Sequence, residues 1–319
     1  MVYDVAVIGA GPGGLAATLG LARMKRSVML LDSNRPRHAA TLVSHGFLTR
    51  DGISPLELRN LGREEVLAYP HVAFERTVVQ SITQLPERDF LVIARRQGSQ
   101  EQTEVHARAV VLATGLTETL PVSEHVRPWY GTSLHSCMDC DGYDKRDQRL
   151  ALIGETDDLV DRALVIRQFS RDVRVFTNGS GAVDSNGVAR LAEFDIEVLD
   201  APIRAVEGGR NGMQAILLED GTRHERNAGF VRPQWHATIG FAEPLGIETD
   251  ARGLVAVDRQ QRTNVAGVYA VGDITPGYRQ LMVAAGEGTV AASVINRDFI
   301  ARELAGDRDA RVAPSAELH

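Results

Sequence analysis

Two short, nearly continuous apolar runs open the chain, residues 2–8 and 27–32, both rich in Val and Leu. That is the pattern of strands buried on both faces of a parallel sheet. Between them Leu15 to Met24 places its apolar residues at helical spacing, so the three elements predict a βαβ unit. Ser54-Pro-Leu-Glu57 is a capping box with proline at the first helical position, opening a helix to about Leu67. Val72–Phe74, Thr77–Leu85, Phe90–Ala94 and Thr103–Val105 predict antiparallel strands. They lead to Ala109-Val-Val-Leu-Ala113, a buried strand that breaks at Thr114-Gly115. The pattern then restarts: Arg149–Gly154 reads as a strand, Leu159–Phe169 as a helix and Asp172–Thr177 as a strand. Near the end, Gly267–Asp273 is a strand closing in Gly272-Asp273. Tyr278-Arg279-Gln280 and a long apolar helix to about Leu304 follow it, and Asp307 to His319 is expected to be a loose tail.

Two restarts of one unit predict an α/β protein with two nucleotide-binding, Rossmann-like domains of three-layer ββα character, the second inserted in the first. The expected boundaries are 1–116 with 245–319 for one domain and 117–244 for the inserted one. A chain of 319 residues has room for two such cores. The net charge of −7, with basic residues scattered, leaves no footprint for nucleic acid or an acidic membrane surface. No stretch approaches the roughly 20 apolar residues needed to cross a bilayer. The N-terminus enters a strand at once, without the features of a signal peptide, so a cytoplasmic protein is expected.

The chemistry is concentrated in a few motifs. Gly9-Ala-Gly11-Pro12-Gly-Gly14 follows the first strand and opens the first helix, and Asp32-Ser33 ends the second strand. Gly9 permits the tight turn, Gly11 lets backbone approach a pyrophosphate, and Gly14 lets the helix pack on the sheet. The helix N-terminus favours phosphate, and Asp32 can accept from a ribose hydroxyl. The only two cysteines are Cys137 and Cys140, in His135-Ser-Cys-Met-Asp-Cys-Asp141-Gly142. Two sulfurs at this spacing close a small redox-active disulfide or clamp a soft metal. Zinc would need two further ligands that no third Cys and no spaced His pair supplies, so no metal is expected. Beside a dinucleotide fingerprint, the lone pair points to flavin-mediated disulfide chemistry.

Gly9-x-Gly11-x-x-Gly14, Ala113-Thr114-Gly115, Cys137-x-x-Cys140-Asp141-Gly142, Gly272-Asp273 and Tyr278-Arg279-Gln280 occur in one order. In that order the chain resembles the low-molecular-weight thioredoxin reductases over nearly its whole length. The resemblance implies FAD, a discontinuous FAD domain, an inserted disulfide domain and a homodimer. It implies that Asp273 reaches the ribityl or phosphate portion of FAD. It also implies that the helix after Arg279-Gln280 points its positive end at the flavin ring. By the same analogy Cys140 faces the flavin, Cys137 exchanges with the external dithiol or disulfide, and Asp141 moves the proton. His45, in His45-Gly-Phe-Leu-Thr-Arg-Asp-Gly52, is a candidate proton carrier beside the flavin; a packing histidine is the plainer alternative.

One stretch departs from the family. Its reductases carry Gly-x-Gly-x-x-Ala in the second nucleotide fold, with a basic pair after the next strand for the NADPH 2′-phosphate. This chain has Gly154-Glu155-Thr156-Asp157-Asp158-Leu159, then Thr177-Asn178-Gly179 without an arginine. Carboxylates at a turn that should receive an anion predict a fold kept and an NADPH site lost. In this the chain resembles the NAD(P)H-independent members, dithiol oxidases and ferredoxin-linked reductases, and its loops look closest to the dithiol oxidases. The expected function is therefore an FAD-dependent thiol–disulfide oxidoreductase acting on a small dithiol or disulfide or a thioredoxin-like protein. Oxygen or a ferredoxin-like carrier would be its electron partner. An NADPH-dependent thioredoxin reductase and a non-catalytic flavoprotein redox sensor are the alternatives.

Overall fold

The computed structural model describes residues 2–86 and 89–312 and divides into two compact units. One comprises the residues up to Pro36, Leu56–Leu116 and those from His236 onward; the other comprises Arg37–Pro55 and Thr117–Trp235. Residues 37–55, which the sequence analysis counts with the first domain, thus group with the second unit.

In the first unit the strand Val2–Ile8 pairs in parallel with Val28–Asp32 on one side and Gln102–Leu112 on the other. Val72–Gln84 extends this sheet beyond Val28–Asp32, and Val268–Ala270 extends it beyond Gln102–Leu112. Val72–Phe74 and Thr77–Leu85, expected as two antiparallel strands, are one strand, Val72–Gln84. Its first part runs parallel to Val28–Asp32. From Thr77 it turns to antiparallel pairing with Phe90–Arg96. Glu75 and Arg76 interrupt the apolar pattern without interrupting the backbone ladder. Thr103–Val105 and Ala109–Leu112 likewise merge into Gln102–Leu112, shared between the parallel and antiparallel sheets. Successive residues of a strand face opposite ways. Accordingly Val5 and Val7 pack with Leu21, Ile295 and Phe299 of the helices, while Ala6 and Ile8 pack with Ile82, Phe90 and Val92 of the antiparallel sheet. Both faces of the parallel sheet are covered, giving the three layers.

The helices Pro12–Arg23 and Leu281–Val312 meet through small residues. A Cβ on Gly288 would lie 2.1 Å from the Gly13 carbonyl oxygen, and one on Gly20 would lie 2.7 Å from the Ala292 Cβ. The long helix continues to Val312, into the segment expected to be a loose tail; residues 313–319 lie outside the described residues.

In the second unit five parallel strands run in the order Glu197–Leu199, Val173–Phe176, Leu150–Ile153, Ala228–Val231, Leu134–His135. Leu150–Ile153 is central, with neighbours that follow it in sequence on opposite sides, so a topological switch point lies at its carboxyl end. Three antiparallel strands, Ile203–Gly209, Gly212–Leu218 and Arg223–Glu225, form a smaller sheet. Among the described residues no helix is long and apolar enough to cross a membrane.

Two glycines of the last helix test its packing. Gly288→Ala is expected to lose about 1–3 kcal/mol of stability, because backbone rather than a yielding side chain stands in the way. Gly286→Ala, which enters open space on the same helix, is expected to be neutral or up to about 1 kcal/mol stabilising. Thermal unfolding of the two variants should move in opposite directions.

Candidate active site

Two groups of residues carry the candidate chemistry, one in each unit. In the first unit the strand Val2–Ile8 ends in Gly9 at φ +108°, a conformation L side chains rarely adopt. A Cβ there would sit 2.3 Å from the Ala113 carbonyl oxygen, and a Cβ on Gly14 would sit 1.8 Å from the Gly9 carbonyl oxygen. Nothing approaches within 4 Å of the place a Gly11 Cβ would take, so backbone faces open space there, and Pro12 begins the helix at once. Asp32 braces the turn: its Oδ1 accepts from the Ala10 N–H (3.1 Å) and its Oδ2 from the Asn34 N–H (2.9 Å). Ser33 lies between, half-buried.

Gly272 comes to the same place from the far end of the chain. The position of its missing Cβ is 3.5 Å from the Ala284 Cβ, and that of Gly13 is 3.2 Å from both the Ala284 carbonyl oxygen and a methyl of Val271. Gly272 donates its N–H to Glu287 (2.6 Å), and burial raises the pKa of that carboxyl. Asp273 sits in the 3-10 turn Gly272–Ile274, half-buried. Arg279 and Gln280 immediately precede the long helix, whose Ala284 N–H donates to the Gln280 carbonyl (3.0 Å). Gly115 adopts φ +63° beside open space, and the Thr114 Oγ1 is buried with no hydrogen-bond partner among the described residues. An open glycine turn at a helix N-terminus and an orphaned hydroxyl at the next strand end are what a bound dinucleotide would complete. The residues present fit one.

Sequence reasoning missed Arg59. It is 7% exposed, and its guanidinium reaches the Asn34 side chain and, at 3.4 Å, Asp32. Glu287 was missed too. Both lie on helices where a charged residue reads as a solvated face, so nothing in the pattern marks them.

In the second unit Cys137 and Cys140 form a disulfide with a Cα–Cα distance of 5.3 Å. Cys137 precedes the short helix Met138–Asp141, and the Cys140 N–H donates to the Cys137 Sγ (3.1 Å). A carboxylate oxygen of Asp141 and the two sulfurs all lie within 4.8 Å of one another. Burial pushes the Asp141 carboxyl up to about 6, opposed by the positive charges of Lys145 and His45. His135 Nε2 is 3.5 Å from Asp141, and burial, reinforced by Lys145, pushes that imidazole down to about 3, so it is neutral. Lys145 is 6% exposed and donates to the Thr132 carbonyl (3.4 Å). His45 belongs to this unit, with Nε2 2.9 Å from Asp144 and Nδ1 3.4 Å from Asp51. Lys145 had looked like one charge in a solvated run, Asp144-Lys-Arg-Asp147; only the fold buries it.

The second glycine turn differs from the first at every point. The helix Leu159–Ile166 starts five residues after Gly154, whereas the first helix starts three after Gly9. Space over Gly154 is filled, since a Cβ there would meet Leu159 Cδ2 at 2.7 Å and Arg232 Cβ at 2.8 Å. Glu155 accepts from Asn178 Nδ2 (2.7 Å). Burial pushes the Asp158 carboxyl up, but hydrogen bonds from Arg162, Thr156 and Arg232 outweigh it and hold the group at about 2.

Residues 3–288 match the sequence pattern described as pyridine nucleotide-disulphide oxidoreductase. The chain belongs to that family. Among its relatives, thioredoxin reductase sirT of Leptosphaeria maculans is 27% identical, over 95% of this chain and 96% of that one. A crystal structure described provisionally as thioredoxin reductase TrxB from Bacillus anthracis superposes with a TM-score of 0.88 at 35% identity, covering 94% of this chain and 99% of that one. The crystal structure of HlmI gives a TM-score of 0.90 at 34% identity, covering 97% and 96%. This pyridine nucleotide-disulphide oxidoreductase is thus a thioredoxin reductase-like disulfide oxidoreductase enzyme, and FAD is its cofactor. The glycine turn of the first unit supplies a dinucleotide cradle, and the second unit supplies a redox-active cysteine pair.

The carboxyl beside the sulfurs makes a direct test of these electrostatics. In the disulfide form Asp141 is expected to titrate near pH 6, read as the protonated carboxyl band in infrared spectra with Asp141→Asn as the blank. Lys145→Met removes a positive charge that favours the carboxylate, so the midpoint should move to higher pH. A midpoint near that of an exposed aspartate would refute the burial.

Proposed function

We propose that this enzyme exchanges electrons between a small dithiol or disulfide and its Cys137–Cys140 pair and works without NADPH. The observation that carries the second part is the Gly154 turn. Side chains fill the space a pyrophosphate would need, and carboxylates stand where its negative charge would come. Gly9, Gly11, Pro12, Gly14, Asp32, Ser33, Ala113, Thr114, Gly115, Gly272, Asp273, Arg279 and Gln280 would hold FAD. Bound FAD supplies the two-electron exchange that resets the cysteine pair.

The chain's own residues do the sulfur chemistry. A substrate thiolate attacks the Cys137 Sγ, the Cys137–Cys140 bond breaks, and Cys140 leaves as a thiolate. Asp141, pushed up to about 6, holds a proton for that departing sulfur. The second substrate thiol then displaces Cys137 from the mixed disulfide, and the Cys140 N–H supports the Cys137 thiolate that results. One substrate disulfide forms and the enzyme pair gains two electrons. Every step is reversible, so the relative potentials of substrate and final electron partner set the direction. Oxygen or a ferredoxin-like carrier would be that partner, and the enzyme would work in the cytoplasm as a homodimer. His45, ion-paired with Asp144 in the same unit as the disulfide, would carry protons. The names of the relatives favour a second reading, an NADPH-dependent reductase of a thioredoxin-like protein.

Stopped-flow mixing with NADPH under anaerobic conditions separates the two. Losing two phosphate hydrogen bonds at roughly 1.5–3 kcal/mol each weakens binding by about two to four orders of magnitude. Bleaching of the flavin should therefore be slow and non-saturating with millimolar NADPH, and fast with a small dithiol. Fast, saturable bleaching by NADPH restores the second reading.

The sulfurs should be unequal. Cys137→Ser is expected to show a long-wavelength thiolate–flavin charge-transfer band at neutral pH. Cys140→Ser should lack it and leave Cys137 open to alkylation. The reverse pattern would exchange their roles.

A further inference from the structure

In an open α/β sheet the ligand crevice lies at the carboxyl ends of the strands, at the switch point. In the second unit that point lies between Leu150–Ile153 and Ala228–Val231. Gly154 begins the turn after the first of these strands, and Arg232 follows the second. The two meet across the crevice. Arg232 Nε donates to both oxygens of Asp158, at 3.1 and 2.8 Å, and Arg162 Nε donates to Oδ2 at 2.8 Å. Thr156 Oγ1 adds a bond of 2.7 Å to Oδ1. The Arg232 guanidinium lies 4.4 Å from the centroid of the Trp235 ring, which fixes its plane.

Two guanidinium groups, a hydroxyl and an aromatic platform at a switch point make a set suited to a phosphate anion. Here the anion is a carboxylate of the chain itself. We propose that Asp158 is a built-in anion that fills this site and is the residue that excludes pyridine nucleotides from the second unit. The proposal rests on the reading that the enzyme works without NADPH and names the residue responsible. Repulsion by loose surface carboxylates would fade with salt, whereas a tethered carboxylate does not depart. It competes at the effective concentration of an intramolecular partner, and an incoming pyrophosphate has to displace it from both arginines. Glu155 has a different role: its bond to Asn178 ties down the neighbouring loop and leaves the arginines untouched.

The test is calorimetric titration of the FAD-loaded enzyme with inorganic pyrophosphate. Asp158→Ala and Asp158→Asn should both bind it at least about tenfold tighter than the wild type, and adding Arg232→Ala to either should cancel the gain. Asp158→Asn preserves side-chain volume, so it serves if the alanine variant fails to fold. No gain in an asparagine variant with wild-type flavin absorbance and thermal unfolding overturns the proposal. So does a wild type that binds pyrophosphate as tightly as the variants, or a gain that survives the loss of Arg232. Rapid NADPH bleaching of the wild type would instead overturn the functional reading, whatever the variants do.

Discussion

The carbonyl oxygen of Ala113 stands where a side chain on Gly9 would begin, and the carbonyl oxygen of Gly9 stands where one on Gly14 would begin. That double contact draws the first helix, the first strand and the end of Gln102–Leu112 together. It leaves Gly11 facing open space, and the Gly13–Gly288 contact brings the last helix to the same place. Every residue expected to hold the cofactor is positioned by this backbone packing rather than by side-chain bonds. Any Cβ at these glycines would push the layers apart, because backbone has no rotamer by which to yield.

The same βαβ plan occurs twice, and the two copies differ in what their turns exclude. The first keeps space and exposes backbone. The second fills the space over its glycine with Leu159 and Arg232 and answers its own positive charge with Asp158. A fold built to present an anion site can thus persist after the site has closed, since the parallel strands and the helix behind them depend on apolar burial and not on phosphate.

Around the disulfide, burial is the controlling term. It raises Asp141, lowers His135 and lowers Lys145, so each group is biased toward neutrality. The attraction between Lys145 and Asp141 opposes that bias. A carboxyl that exchanges its proton near neutral pH beside two sulfurs results from this balance, and neither burial nor the lysine alone would give it.

Much of this was legible in the chain. The apolar runs of 2–8 and 27–32, the glycine spacing and the lone cysteine pair follow from local rules of period, turn conformation and composition, and they were enough for the fold class, FAD and disulfide chemistry. The carboxylates after Gly154 were legible as a departure, though not as an ion pair. Other features depend on contacts far apart in sequence. That Val72–Gln84 is one strand serving two sheets depends on partners on either side of it. Arg59 and Glu287 are buried only because helices fold over them, and Lys145 becomes a charge beside the sulfurs only once Thr132 and Asp141 surround it. Arg232, more than seventy residues beyond Asp158, meets it only because parallel strands bring their carboxyl ends side by side. Pattern along a chain records which face of an element is apolar; which charge lies against which is decided when the elements pack.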